Sequence, residues 1–243
     1  MVSVTSVVFA ALAAVASAAP SCRAPTYTLP QVGEGVELAA PPANLFLKKI
    51  AIGHGIQNYT CETTASDFKA TGAVAVLYDA TPLYPKTKKT GIKQREWDSL
   101  PTNLLRNLPL PLNKLAGSTY GADPTTPFPA PADLALQGLP TIKFLGHHFF
   151  DGNGVPVFDL GTTGLKAAVK KLDNIPAPQS ADAGITGSGA VQWLQLDDNL
   201  TGRSVGVTMV YRVITAGGGA QACSVVGAGV QSVPYTTYYW FFG

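Results

Sequence analysis

The chain has 243 residues, of which 13% are charged, and its formal net charge is +2. Binding to nucleic acid or another polyanion needs a clustered Lys/Arg surface, which this composition does not supply. The one basic cluster, Lys86 to Arg95, is interpreted as a solvated loop. No segment approaches the roughly 20 apolar residues of a transmembrane helix, so no membrane span is expected.

The first residues have the pattern of a secretory signal peptide. An apolar run extends from Val7 to Val15, and the small residues Ala16, Ser17 and Ala18 place the expected cleavage near Ala18 or Ala19. We therefore expect residues 1–18 to be removed, the mature protein to be secreted, and residues 19–44 to form an extended, Pro-rich lead. Two acceptor sequons for N-glycosylation, at Asn58 and Asn199, fit an extracellular protein.

Residues 45–243 are predicted to form a single all-β domain, a mainly antiparallel sandwich or barrel. Gly53-His54-Gly55 is interpreted as a bulge or tight turn, Asp151 to Gly154 as the turn of a hairpin, and Leu165 to Leu172 as a short helix. Apolar runs bounded by Gly and Pro predict strands over residues 45–52, 56–61, 73–78, 143–150, 155–160, 190–196, 204–215, 222–226 and 235–242.

A long Pro-rich insertion is predicted over residues 81–140, where the strand pattern dissolves. Gln94 to Arg106 has helical spacing, but Pro101 predicts broken turns there. Trp193 and Trp240 lie in predicted strands and are assigned to the core, whereas Trp97 is expected to be exposed in the insertion. Trp97 and Tyr238 are the candidate ligand-binding aromatic residues.

Three cysteines leave one residue over after pairing in an oxidising compartment. Cys61 and Cys223 lie within predicted strands, whereas Cys22 lies just past the cleavage site. We therefore predict a Cys61–Cys223 disulfide, with Cys22 free, capped or intermolecular.

An ordered set of motifs over residues 45–242 resembles a secreted domain-of-unknown-function family. The family is common in filamentous fungi, has bacterial relatives, and includes members labelled malate dehydrogenase. The resemblance implies recurring cysteines at Cys61 and Cys223. Many fungal members have a further cysteine near Asp79 to Thr81, and its absence here would leave Cys22 without a partner. The motifs are Gly53-His54-Gly55, Gln57 to Cys61, Gly146 to Phe149, Trp193 to Leu196, Val210 to Val213 and Tyr238 to Phe241.

The malate dehydrogenase label is not supported by a dinucleotide-binding motif. Such a motif needs a Gly-rich turn between a strand and a helix, whose amide groups hold the pyrophosphate. The nearest match, Gly227 to Ser232, is followed by Pro234 and a predicted strand. No cofactor is therefore expected, a divalent metal being the one candidate.

The three histidines, His54, His147 and His148, flank glycine-rich segments, and Asp151 follows the last two closely. One hairpin histidine, His54 and a carboxylate could form a three-ligand metal site with an open position. Adjacent strand residues point to opposite faces, so His147 and His148 cannot share one site. A structural role for the histidines is the favoured interpretation.

The sequence therefore leads to three hypotheses about function. The first is an extracellular or cell-wall-associated binding protein without catalysis, whose partner is a wall polysaccharide or another extracellular ligand. The alternative is a metal-dependent secreted enzyme that uses His54 and a hairpin histidine. The third reading is the dehydrogenase named by the family label.

Overall fold

A computed structural model describes residue 2, residues 26–33 and residues 35–243. The predicted signal peptide, apart from Val2, and Cys22 lie outside the described residues. No helix in the described part of the chain has both the length and the hydropathy to cross a membrane.

Eight strands form a closed barrel in which each strand pairs with the next along the chain. Every pairing is antiparallel, and the last strand pairs with the first to close the barrel. The all-β prediction is confirmed, and of its two forms the barrel is the one observed. The strands are β1 Leu47–Cys61, β2 Lys69–Asp79, β3 Phe144–Phe150, β4 Pro156–Leu160, β5 Leu165–Ile175, β6 Trp193–Asp198, β7 Met209–Gly217 and β8 Gly229–Phe242.

Over most of β1 and β7 and the last part of β8, the barrel wall is buried on both of its faces. Alternating side chains fill the interior, where Tyr239 and Phe241 of β8 meet Phe158 of β4. Tyr238 and Trp240, on the opposite face of β8, belong to a second cluster outside the barrel. This double burial explains why β8 ends in the continuous aromatic run Tyr238 to Phe242, since a strand segment that is covered on both faces has no polar side.

The predicted insertion covers part of the outer face of the barrel. It contains a short 3-10 helix, Thr81–Leu83, and the helix α1, Gln94–Asn107. α1 packs on the outer cluster through Trp97, Leu100 and Leu104, all of which are buried. Part of the described N-terminal lead packs on the same cluster, through Tyr27, Leu29, Val32 and Leu38.

The expectation that Pro101 breaks this helix is wrong. A proline lacks the N–H that would bond the carbonyl of the residue four positions earlier, which here is Trp97. The Tyr238 hydroxyl donates instead to the Trp97 carbonyl, at 2.9 Å. The acceptor that Pro101 leaves open is thus satisfied from β8, and α1 runs without a break.

The hairpin between β3 and β4 forms as predicted. His147 to Phe150 pair with Asp159 to Pro156, and the turn between them contains Gly154 at a φ of 72°. Asp151 Oδ1 accepts hydrogen bonds from the backbone N–H groups of Asn153 and Val155. The turn is therefore built by its own side chain, as the sequence indicates.

Three other expectations about local structure are wrong. Gly53-His54-Gly55 is continuous strand, because the glycines face the crowded interior of the barrel and do not turn the chain. Leu165 to Leu172 lies in β5 and is not a helix. Residues 222–226, expected as a strand, include the short helix α2, Cys223–Val226.

The predicted disulfide between Cys61 and Cys223 is confirmed. It joins the end of β1 to α2, just before β8 begins. The bond therefore lies at the seam where the first and last strands close the barrel.

Candidate functional site

The three histidines lie in three different environments. His54 faces outward from β1 and is buried beneath the insertion. Its Nδ1 lies 2.8 Å from the Thr236 hydroxyl, and its Nε2 lies 3.2 Å from the carbonyl oxygen of Pro109. Burial lowers the pKa of His54, so the ring is neutral at neutral pH with both nitrogens occupied.

His148 points into the barrel. Its ring stacks on Phe158, with a centroid distance of 4.0 Å, and its Nδ1 donates to the carbonyl oxygen of Val157 at 2.9 Å. Burial lowers the pKa of His148 to about 4. His148 is therefore a neutral part of the barrel core.

His147 faces outward, in register with Val76 of β2, which in turn pairs with His54 of β1. Two strand spacings separate the two outer histidines, a distance of about 10 Å between their backbones. Asp151 is held by its own turn and by an ion pair with Arg203. The structure therefore does not bring together His54, His147, His148 and Asp151. No group of three or more His, Cys, Asp or Glu side chains suited to a metal ion occurs among the described residues.

The aromatic residues expected to bind a ligand are not accessible. Trp97 is 1% exposed and Tyr238 is 0% exposed, and their rings stack on each other at a centroid distance of 4.1 Å. The expectation that Trp97 is exposed is wrong because α1 places it against β8. The two rings hold the insertion on the barrel.

The two sequons differ in their surroundings. Asn58 lies on the outer face of β1, where its Oδ1 accepts a hydrogen bond from the Ser232 hydroxyl at 2.7 Å. Asn199 lies in the turn after β6, and its Oδ1 accepts from the Thr201 hydroxyl at 2.6 Å. N-glycosylation at either site stays a prediction.

A groove of about 790 Å³ runs over the outer face of β1, β2, β3 and β8, beside the insertion. We call it the aromatic groove. This volume lies within the range of small-molecule binding sites. Its lining combines aromatic rings with small polar groups: Asn58, Thr71, Val74, Leu115, Ser118, Gly121 to Pro124, Pro127, Phe128, His147, Phe149, Phe150, Val230 and Ser232.

His147 is the unsatisfied group of this groove. Its ring stacks on Phe128 at a centroid distance of 3.9 Å, and its buried Nε2 has no hydrogen-bond partner among the described residues. Burial lowers the pKa of His147, and the nearby Asp159 carboxylate opposes this shift in part. The ring is therefore neutral at neutral pH, and its Nε2 lacks a hydrogen-bond partner among the described residues.

The wall of the groove opposite β3 is a loop, residues 113–128, that is held by its own hydrogen bonds. The Asn113 side chain donates to the carbonyl oxygens of Thr126 and Phe128, at 2.7 Å and 3.2 Å. The Asp123 carboxylate accepts from Thr125 and Thr126, and these bonds lower its pKa. Phe128 is thus positioned against His147 by a closed loop.

A family model described as a protein of unknown function (DUF3455) matches residues 41–243. The chain is a DUF3455 protein. Comparisons with curated proteins and with solved structures give no match. In this DUF3455 chain the nearest approach to a dinucleotide motif, Gly227 to Ser232, begins at the end of α2 and runs into β8. A strand therefore follows the glycines where a helix N-terminus would be required to hold a pyrophosphate.

Sequence reasoning found His147 but missed the residues that surround it. Phe128 lies in the insertion, and Ser232 lies in the last strand, far from the hairpin along the chain. Phe149 and Phe150 carried a usable signal, since aromatic residues at the end of a hairpin strand are candidates for a binding surface.

Proposed function

We propose that this chain is an extracellular, cell-wall-associated binding protein that holds a segment of neutral polysaccharide in the aromatic groove, without catalysis. The observation that carries the proposal is the open groove itself, whose lining combines aromatic rings with small polar groups and includes His147, whose buried Nε2 has no partner among the described residues. The predicted signal peptide supports the extracellular location.

A sugar ring matches the chemistry of the groove. Its C–H faces pack on aromatic side chains, while its hydroxyl groups donate and accept hydrogen bonds at the edges. Phe149 and Phe150 are each partly exposed, and both line the groove. The side chains of Asn58 and Ser232 provide polar groups beside them.

The charges of the groove favour a neutral ligand. Within the described part of the chain, no Lys or Arg lines it, and its one carboxylate, Asp123, already accepts hydrogen bonds from its own loop. An anionic glycan would meet no cation there, and burial of its charge would be unfavourable. A neutral glucan or chitin segment needs no cation in the groove and has no charge to bury.

The metal-dependent enzyme and the dehydrogenase gain no supporting observation from the described residues. The outer histidines lie on separate strands, and the glycine motif precedes a strand. The binding role requires only the groove.

The test is co-sedimentation of the secreted, deglycosylated protein with insoluble β-glucan and chitin, followed by the Phe149→Ala and His147→Ala variants. Each truncation removes a groove contact, so we expect affinity to fall at least about tenfold, or about 1.4 kcal/mol. Phe46→Ala is the matched control, because Phe46 is 69% exposed and does not line the groove.

Thermal unfolding of each variant serves as the control for an intact fold. Absence of binding to a broad panel of neutral glycans would overturn the proposal. Equal affinities of Phe149→Ala and the unaltered protein would also do so. The extracellular location is tested separately, by whether the tagged full chain accumulates in the medium or wall of a fungal host.

A further inference from the structure

A second opening lies on a different side of the barrel from the aromatic groove. We call it the polar cleft. It has a volume of about 470 Å³ and lies between α1, residues 30–32 of the N-terminal lead and the loop over residues 178–182. Its floor includes Trp193 at the start of β6 and Ile214 and Thr215 of β7. Neither His147 nor any other residue of the aromatic groove contributes to it.

The floor contains a strained backbone. Ile214 has a φ of 50°, in the left-handed region that a β-branched residue rarely adopts. It lies where the register of β7 with β8 shifts, between Val213 and Ala216. The Thr215 hydroxyl donates to the Val191 carbonyl at 2.7 Å, and the Thr237 hydroxyl donates to the Val213 carbonyl at 2.8 Å. These bonds fix the bulge.

The bulge lies at the cleft, because Ile214 and Thr215 both line it. Strain held in place by surrounding bonds is typical of sites that position groups for a ligand.

Trp193 carries an unsatisfied donor at this cleft. Its side chain is 3% exposed, and its indole Nε1 has no acceptor within the part of the chain that is described. A buried N–H without a partner is unfavourable because it has lost its hydrogen bond to water. The indole N–H is therefore a polar group of a cleft-lining residue that lacks a partner among the described residues.

The charges of the polar cleft differ from those of the groove. Among the described residues, two carboxylates line it, Asp98 and Asp182, and no Lys or Arg does. Asp182 pairs with Arg106 and accepts from the Gly184 N–H. Asp98 is exposed on α1, and its one described hydrogen bond comes from the Gln94 amide at 2.8 Å. Asp98 is therefore the carboxylate that remains available to a cationic group.

We propose that the polar cleft binds a small hydroxylated organic cation. The ligand's ammonium group pairs with the Asp98 carboxylate, and one of its oxygen atoms accepts a hydrogen bond from the Trp193 indole. The site is independent of the aromatic groove, so either one can exist without the other.

The test is a titration of the full chain with glucosamine, followed through the indole N–H resonances in ¹H–¹⁵N spectra. Glucose is the matched probe, since it presents the hydroxyl groups without the ammonium. The Trp193 resonance is assigned by its loss in Trp193→Phe. We expect glucosamine to shift this resonance in a saturable manner, with the Trp97 and Trp240 resonances unchanged, and glucose to bind at least tenfold more weakly.

The Asp98→Asn variant separates binding from folding. Asp98 is exposed, so this variant should keep its thermal midpoint while its affinity for glucosamine falls at least tenfold. Asp67→Asn, at an exposed aspartate away from the cleft, should bind as the unaltered protein does. The proposal is overturned by unsaturable shifts, by equal binding of glucose, or by unchanged affinity in Asp98→Asn.

Discussion

The glycines of β1 provide the sharpest test of the fold. Gly53 and Gly55 lie in a buried strand, and neither has a positive φ that would itself require glycine. At a free position in a strand, replacement of glycine by alanine would stabilise the protein by roughly 0.5–1 kcal/mol, because the unfolded chain loses freedom. At both positions we expect replacement by alanine to destabilise the protein, because the added Cβ would clash with its neighbours.

The two positions differ in what an added Cβ would meet. At Gly53 it would lie 2.7 Å from Cε2 of Tyr239, and at Gly55 it would lie 2.0 Å from the carbonyl oxygen of Val74. A ring edge can shift slightly, but the β2 backbone can move only if its pairing with β1 is disturbed. Overpacking costs about 1–3 kcal/mol, so we place Gly53→Ala in that range. Gly55→Ala should cost about 3 kcal/mol or more, a large part of the roughly 5–15 kcal/mol that stabilises a typical domain.

Urea unfolding followed by Trp fluorescence measures these free energies, since Trp97, Trp193 and Trp240 are all buried. Gly152→Ala is the control, because a Cβ there meets nothing within 4 Å. We expect it to lie within about 0.5 kcal/mol of the unaltered protein. If Gly55→Ala were as stable as this control, or more stable than Gly53→Ala, the steric contacts assigned to these glycines would be wrong.

Two further predictions concern stability. The disulfide closes a separation of 162 residues, so Cys61→Ser combined with Cys223→Ser should lower the free energy of unfolding by about 5 kcal/mol. Reductant should then have no further effect on that variant, and a double variant as stable as the parent would contradict the prediction. Burial lowers the pKa of His148 to about 4, so between pH 4 and its ordinary 6.5 the unfolded chain binds more protons and stability falls as pH falls. His148 should lower the free energy of unfolding by about 2 kcal/mol between pH 7.5 and pH 5.0. In urea titrations over the same interval, the free energy of unfolding of His148→Phe should fall by that much less. An equal fall in both proteins would refute the assignment.

Features set by neighbouring residues could be predicted from the sequence. Asp151 to Gly154 specify their hairpin turn locally, and the apolar run of Ala73 to Tyr78 specifies β2. Gly53 and Gly55 could not be interpreted in this way. Glycine is required at these positions because Tyr239 and the β2 backbone leave no room for a Cβ, and these groups come close to β1 only in the folded barrel. A glycine pair that makes space for distant groups resembles, in sequence, a glycine pair that turns the chain.

The same limit applies to helices. The spacing of Leu165 to Leu172 suggests a helix, yet β5 has a register shift after Lys171 that interrupts the alternation expected of a strand. Pro101 suggests the end of a helix, yet Tyr238 donates the hydrogen bond that makes the proline tolerable. Both errors arise because a tertiary contact overrides a local preference.

For the candidate site, the sequence indicated His147 and the separation of His147 from His148, but not the groove. The environment of His147 comes from Phe128 in the insertion and Ser232 in β8, which only the closed barrel brings together. Trp97 was predicted to be exposed but is buried, because its burial depends on the docking of α1 against the barrel.

The closure of the barrel between β1 and β8 also constrains how the chain can be made. During synthesis β1 can pair with β2 as soon as the two have emerged, but its other edge has no partner until the last strand is complete. An unpaired strand edge is a template for association with other chains. From the completion of β1 until β8 has been made, this protein therefore carries an open seam, and the disulfide joins the chain beside that seam.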